Sequence, residues 1–464
     1  MRMNKKILPG IFLIISSFGL KAQTDSVYRF SLTQAQEFAV KNNLNAKNAR
    51  LDIESARKTV WETTAMGLPQ FSATANYQHN FTVPQFPLGG GLNASRLEAM
   101  GTDVTLTNTN LLQNFDPPVI VPLGTKDNTT IDFTLSQLVF SGEYIVGLQA
   151  SRVYKELSER SLEKTEDQIK ESVSNGYYSV LVLDENIRIL KQSLGAVNKT
   201  AGEMEAMYKQ GFTEETDVDQ MKINKSNLET TIRTLEGQKS VAEKLLKLQL
   251  GIDFSNKVVL TDSIGSLVRQ LNFQLMTSSE FDVTDNIDYQ LMQTQEDLSK
   301  LSLRREKSKF LPTISGFYRH EEQTNQPAFN FMPKDVVGLT LNFPIFSSGQ
   351  RMMVVGDARI DYEKSVNAKN LARQNLEMQF EQAKNDYVTS YNSYMTNKDN
   401  LDLSKKIYNN TLIKYKEGIV TSLELTQQQN QFLNTEGNYF NSILSLLNAK
   451  AQLERILTKY NSNE

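Results

Sequence analysis

The sequence predicts a mainly α chain written twice, each copy joining a long antiparallel helical hairpin to two short amphipathic strands. Three observations predict this. Signature pieces recur: Tyr208-Lys-Gln-Gly211 is answered 207 positions later by Tyr415-Lys-Glu-Gly418, and Phe140-Ser-Gly142 by Phe346-Ser-Ser-Gly349. Leu68-Pro69 is answered by Leu311-Pro312 in the same order. Long stretches carry apolar residues at three-, four- and seven-residue spacing, and four short segments between them switch to a period of two. A repeat this long implies a pseudo-symmetric architecture rather than two unrelated domains.

Residues 1–22 precede the fold. Arg2, Lys5 and Lys6 stand before an apolar run from Ile7 to Leu20, and small Ala22 precedes Gln23, the layout of a cleaved export signal. The run falls short of the ~20 apolar residues a membrane-spanning helix needs. Loss of Arg2, Lys5, Lys6 and Lys21 takes the formal charge from −3 to about −7, which argues against a nucleic-acid partner. The chain has no cysteine, so it offers neither disulfides nor a thiolate metal site.

The first repeat, 23–250, opens with a helix over 32–66, capped by Ser31 and stopped by Gly67 and Pro69. Its hairpin, 148–250, carries Ile169, Val173, Tyr177, Val180, Ile187, Leu190, Leu194 and Val197 outward, then Leu228, Ile232, Leu235, Leu245 and Leu248 back. A linker over 251–284 leads to the second repeat, 285–464, with a helix ending before Pro312. Its hairpin, 350–458, runs through Leu376, Phe380, Ala383, Tyr387, Tyr391, Tyr394, Leu401 and Tyr408, and returns through Leu423, Leu425, Phe432, Ile443, Leu446, Leu447 and Leu453. The spacing is that of a coiled-coil seam. About 60 residues at 1.5 Å each give a rod of roughly 90 Å, too long for an ordinary globular domain. Gly211 and Gly418 supply the positive φ that ends each outgoing helix.

The strand pairs are expected at 68–81 with 129–140, and at 312–321 with 336–346. Phe71, Ala73, Ala75 and Tyr77 alternate with Ser72, Thr74, Asn76 and Gln78, and Ile131, Phe133 and Leu135 alternate with Asp132, Thr134 and Ser136. Ile314, Gly316 and Tyr318, then Val337, Leu339, Leu341, Phe343 and Ile345, repeat the pattern. Such alternation fits a transmembrane barrel, lipid outside and water inside, and equally a half-buried soluble sheet. Export and the long helices tip the balance to the barrel. Four strands are too few to close one, for which ~8 is the minimum, so the strands must be shared between chains.

At this point the residues resemble a known family. Ser31-Leu-Thr-Gln-Ala-Gln-Glu-Phe-Ala-Val-Lys-Asn-Asn-Leu44, then Leu68-Pro69, Gln137-Leu-Val-Phe-Ser-Gly142 and Phe343-Pro-Ile-Phe-Ser-Ser-Gly349, with the two Tyr-x-x-Gly tips, are similar in order and spacing to the TolC-like outer-membrane efflux proteins. The resemblance implies a homotrimer in the cell outer membrane: a twelve-stranded barrel continued into the periplasm by a twelve-helix tunnel. It implies export of solutes, by efflux or type I secretion, from an inner-membrane transporter through a periplasmic adaptor protein that grips the hairpin tips at Tyr208, Gly211, Tyr415 and Gly418. No cofactor is implied, and no enzymatic activity; the sequence carries neither a phosphate-binding glycine loop with lysine nor a convergent acid, base and nucleophile.

The resemblance also places a gate at the tips. The family's acidic rings lie six and nine residues past the second tip glycine, where this chain has Glu424 and Gln427, so one ring is kept and one is neutral. The family ties its closed mouth through an aspartate, a tyrosine and an arginine; Asp217 and Tyr415 match the first two, and Val420 replaces the third. Tyr415→Phe with unchanged conductance would show that this link is not a gate. Glu214, Glu215, Asp217 and Asp219 also suit the helix N-terminus they precede or open, and Tyr208 and Tyr415 also continue the heptad.

The first repeat's excess of 37 positions over the second lies within residues 81–127, which are expected on the extracellular side. His79 and His320 are the only histidines and do not occupy equivalent repeat positions, and the methionines read as packing, so no metal site is expected. The alternative to the duct is a soluble periplasmic coiled-coil adaptor or structural rod.

Overall fold

The computed structural model describes residues 27–88, 119–122, 124–271, 273–326 and 332–458. Residues 1–22, expected to be an export signal, and most of the 81–127 insertion lie outside the described residues. In chain order the first repeat supplies β1 (Val27–Phe30), α1 (Leu32–Asn42), α2 (Leu44–Ala65), β2 (Gln70–His79), β3 (Gln85–Leu88), β4 (Val119–Pro122), β5 (Asp127–Ser141), α3 (Gly142–Lys209) and α4 (Glu215–Leu250). There follow β6 (Lys257–Leu260), α5 (Ile264–Arg269), α6 (Phe273–Ser278), α7 (Ile287–Ser308), β7 (Thr313–Gln323), β8 (Asp335–Asn342), α8 (Gln350–Lys416) and α9 (Ser422–Leu457). Among the described residues two compact units emerge, and both repeats contribute to each: those within 27–47, 166–279 and 382–456 form one, and those within 48–165, 280–381 and 457–458 the other.

The second unit holds, beside the antiparallel pair β3-β4, a four-stranded antiparallel sheet in the order β2-β5-β7-β8, so strands of both repeats pair directly. Its register places Phe71 opposite Leu135, Ala73 opposite Phe133 and Ala75 opposite Ile131. Leu135 in turn faces Tyr318, and Tyr318 faces Val337. Directly opposed residues share a face, so the apolar sets of all four strands form one surface. Phe71 is 69% exposed, Val337 80% and Leu339 78%, so no described element covers it. β8 ends at Asn342, short of Phe343 and Ile345, which the alternation had placed in the strand; Pro344 lacks the N–H that would carry the ladder on.

The two histidines correct a second expectation. His79 pairs with Asp127 at the end of β2 and β5, and His320 pairs with Asp335 at the end of β7 and β8. They occupy the same station in each strand pair. Counting from the Leu-Pro motifs hides this, because His79 stands eleven positions past Leu68 and His320 nine past Leu311. Among the described residues no group of three or more His, Cys, Asp or Glu is placed to hold a metal ion.

The long hairpin helix α3 starts at Gly142, six residues before the expected start, because the Ser141 hydroxyl accepts the Tyr144 N–H (3.2 Å) and caps it. The helix expected over 32–66 is two helices. Asn43 leaves the helical region at ψ 137°, its carbonyl side-chain oxygen accepts the Asn45 N–H (2.8 Å), and its amide donates to the Gln249 carbonyl (2.7 Å). Gly251, at φ 70°, follows α4 and lies against this break.

In the other unit, β1 pairs in parallel with β6, an element that the linker's mixed composition did not reveal. Asp262 follows β6 and accepts the Leu32 N–H (2.8 Å), filling one open donor at the start of α1. The buried Tyr177 hydroxyl lies 2.9 Å from the same carboxylate and 3.0 Å from the Phe30 carbonyl. Burial pushes that phenol well above the ordinary tyrosine range. Ile187, Leu190, Val197 and Met204 of α3 pack with Val218, Met221, Leu228 and Ile232 of α4 and with Leu425 of α9. Tyr408, Leu412 and Tyr415 of α8 close the same cluster, so the hairpins of both repeats share one core.

Candidate gate at the hairpin tips

Both outgoing helices end in the same way. Gly211 and Gly418 take φ 78° and 76°. Gly211 donates to the Tyr208 carbonyl (2.9 Å) and Phe212 to Met207 (2.9 Å); Gly418 donates to Tyr415 (3.0 Å) and Ile419 to Lys414 (2.9 Å). This is the paired 5→2 and 6→1 bonding of a Schellman cap, which only a left-handed residue allows. Phe212 and Ile419, each one residue past its glycine, stand out to solvent at 74% and 65% exposure. Of the two tip tyrosines, Tyr415 packs against the shared core as the heptad suggests, whereas Tyr208 is 41% exposed.

Asp217 is held by two hydroxyls. Its Oδ2 accepts from Thr213 (2.7 Å), and its Oδ1 accepts a short bond from Ser422, the first residue of α9. The Ser422 bond, more than any other influence, holds this carboxyl below the usual carboxylate range. Tyr415 lies close enough that, after burial, the Asp217 charge is the next cause raising its phenol. The structure thus brings Asp217 and Tyr415 together while giving the carboxylate's bonds to Ser422 and Thr213. Sequence reasoning missed Ser422, because a serine at a helix start reads as an ordinary local cap.

Further bonds join the hairpins. Asn224 donates to the Thr426 hydroxyl in a buried contact (2.8 Å), and Lys416 meets Glu203 at 3.3 Å. Glu424 and Gln427 are both exposed, and the Thr421 hydroxyl accepts the Glu424 N–H (3.3 Å) at the start of α9. Glu214 stands at the N-cap of α4 without a side-chain cap bond, while Glu215 and Asp217 sit in that helix's first turn, where acids are favoured.

Behind the tip the seam of α9 is mixed, with polar residues buried alongside Leu425 and Phe432. Ser422, Thr426, Gln429, Thr435 and Glu436 are all buried, before Ile443, Leu446, Leu447 and Leu453 make it apolar. Glu436 is 2% exposed and its Oε2 finds no hydrogen-bond partner among the described residues. Burial pushes its carboxyl up to about 7, against a smaller opposing pull from Lys405.

A family model described as "Outer membrane efflux protein" matches residues 288–459. The Campylobacter jejuni CmeC outer membrane channel superposes with a TM-score of 0.72 at 16% identity, over 93% of this chain and 87% of that one. The Vibrio cholerae outer membrane protein VceC gives 0.68 at 14%, over 92% and 96%. The Neisseria gonorrhoeae MtrE outer membrane channel in its open state gives 0.67 at 14%, over 92% and 89%. No curated protein matches the chain in sequence. The outer membrane efflux family is thus matched across most of the second repeat, and the fold of these outer membrane channels spans both repeats.

Proposed function

We propose that three copies of the chain assemble into one duct, a twelve-stranded barrel in the outer membrane continued by a twelve-helix periplasmic tunnel, through which solutes from an inner-membrane transporter leave the cell. The observation that carries this reading is the uncovered apolar face of the four-stranded sheet. Four strands leave two open edges, and backbone groups at an open edge have no partner in hydrocarbon. Three chains supply twelve strands and remove the edges. Residues 251–284 then belt the tunnel, and the six tips form a near-sixfold ring. Exposed Phe212 and Ile419, at equivalent places on the two tips, give a periplasmic adaptor an apolar surface to grip.

In this reading the Asp217–Ser422 bond is the latch that holds the two repeats together at the mouth, standing where the charged link of relatives is missing its arginine. Glu424 lines the mouth and favours cations, while Gln427 adds no charge. Single-channel recording in planar bilayers tests both. Ser422→Ala is expected to raise the mean conductance by about twofold or more and Tyr415→Phe to change it less, with Glu424→Gln reducing the preference for K⁺ over Cl⁻. A Ser422→Ala channel with the conductance and open times of the parent would sink the latch.

A further inference from the structure

The apolar face of the sheet changes character at the same place on both strand pairs. On β2 the face-sharing residues run Phe71, Ala73, Ala75, then Tyr77 and His79, with Asp127 opposite His79. On β7 they run Ile314, Gly316, then Tyr318 and His320, with Asp335 opposite His320. Each aspartate uses one oxygen for both neighbours. Asp127 Oδ1 accepts from the Tyr77 hydroxyl at 2.8 Å and from His79 Nδ1 at 2.6 Å. Asp335 Oδ1 does the same with the Tyr318 hydroxyl at 2.6 Å and His320 Nδ1 at 2.7 Å. An ionised carboxylate only accepts, so Nδ1 carries the proton and Nε2 points away from the aspartate. A lysine precedes each aspartate, Lys126 and Lys334, and its carbonyl accepts the next N–H beyond the histidine, from Asn80 (2.7 Å) and Glu321 (2.8 Å). Both clusters lie at the strand ends farthest along the chain from the helices.

The two clusters differ in how they finish. At the second, Glu322 takes His320 Nε2 (3.3 Å) and the Lys334 ammonium (2.9 Å), so the cations are neutralised within the protein. At the first, Phe81 stands where the second cluster has Glu322, and no carboxylate besides Asp127 meets His79 among the described residues. His79 is 36% exposed and Lys126 is exposed beside it. Hydrocarbon-facing residues, then a tyrosine, then a histidine and a lysine is the order a barrel wall shows on passing from acyl chains into headgroups.

We propose that the first cluster, with the Lys126 ammonium and, in the imidazolium form, His79 Nε2 as donors, docks a phosphate-bearing lipid headgroup of the outer leaflet, while the second closes on itself through Glu322. The inference rests on the barrel reading above. A lipid suits the site better than free phosphate, because the donors are continuous with the exposed apolar face on which its acyl chains would lie.

The test is native mass spectrometry of the purified full-length mature channel, titrated with phosphatidic acid and, separately, with phosphatidylcholine. The parent is expected to retain phosphatidic acid preferentially, the His79→Ala, Lys126→Ala double variant to bind it about tenfold more weakly, and Lys334→Ala to bind as the parent does. A double variant that binds as the parent, or a parent without preference between the lipids, overturns the docking site. A parallel arm places the only tryptophan on the apolar face, Leu339→Trp with Trp61→Phe, in vesicles of lipids brominated on their acyl chains. Quenching there upholds the barrel even if docking fails; no quenching overturns both.

Discussion

Replacing Glu436 by glutamine is expected to stabilise the protein by about 3 kcal/mol at pH 8 and to change little at pH 4. The glutamate is almost wholly buried with an unpartnered oxygen, and its carboxyl titrates near 7 when folded against 4.5 when free. Below 4.5 both states carry the proton, and the folded state bears no penalty. Between 4.5 and 7 the unfolded chain releases its proton while the folded chain holds it, so stability falls as pH rises; above 7 the loss is complete. Glutamine keeps the shape and has nothing to titrate. Denaturant midpoints followed by helical circular dichroism from pH 4 to 8 read this directly. Equal pH slopes for parent and variant would show that the carboxyl is not buried in the folded protein.

Gly251→Ala is expected to cost about 3 kcal/mol or more, against roughly 1 kcal/mol for Gly211→Ala. Both glycines have φ above +70° or close to it, at 70° and 78°. They differ in what a methyl group would meet. At Gly251 it would lie 2.5 Å from the Asn42 carbonyl oxygen and 3.2 Å from the Asn43 nitrogen, whereas at Gly211 nothing lies within 4 Å. Backbone atoms do not swing aside as a side chain does, so α1 must shift and the Asn43 to Gln249 bond is lost with it. The check is the denaturation midpoint of the two variants side by side. Equal losses would mean that the break at Asn43 does not press on Gly251.

What the residues disclosed and what they hid divide along the range of the forces involved. The outgoing hairpin seams were legible because packing at three and four residues is local, as Val173, Tyr177 and Val180 illustrate on α3, whereas Leu245, Leu248 and Leu423, placed on the returning seams, are exposed. The tip glycines were legible because only φ conditions their role. The shared apolar face of the sheet followed from alternation alone, since period two fixes the side of every residue once one is placed. Asn43 hid its break because its neighbours keep a helical pattern across it, and the reason for the break lies 206 positions away at Gln249. β1 is four residues long, and its partner β6 lies on the far side of the whole first repeat. At the proposed gate, Asp217, Tyr415, Glu424, Gln427 and the glycines are nominated by their places in a resembling family. Ser422 is not, because its partner is set by how two hairpins meet.

The mass of the mature protein extracted from outer membranes with mild detergent, measured by light scattering coupled to size-exclusion chromatography, tests the central claim most directly. The expected result is a single membrane-bound species of three chains that forms conducting pores when added to a planar bilayer. Recovery of the protein as a soluble monomer in the periplasmic extract, with no conductance, would contradict it and leave the coiled-coil rod as the better account.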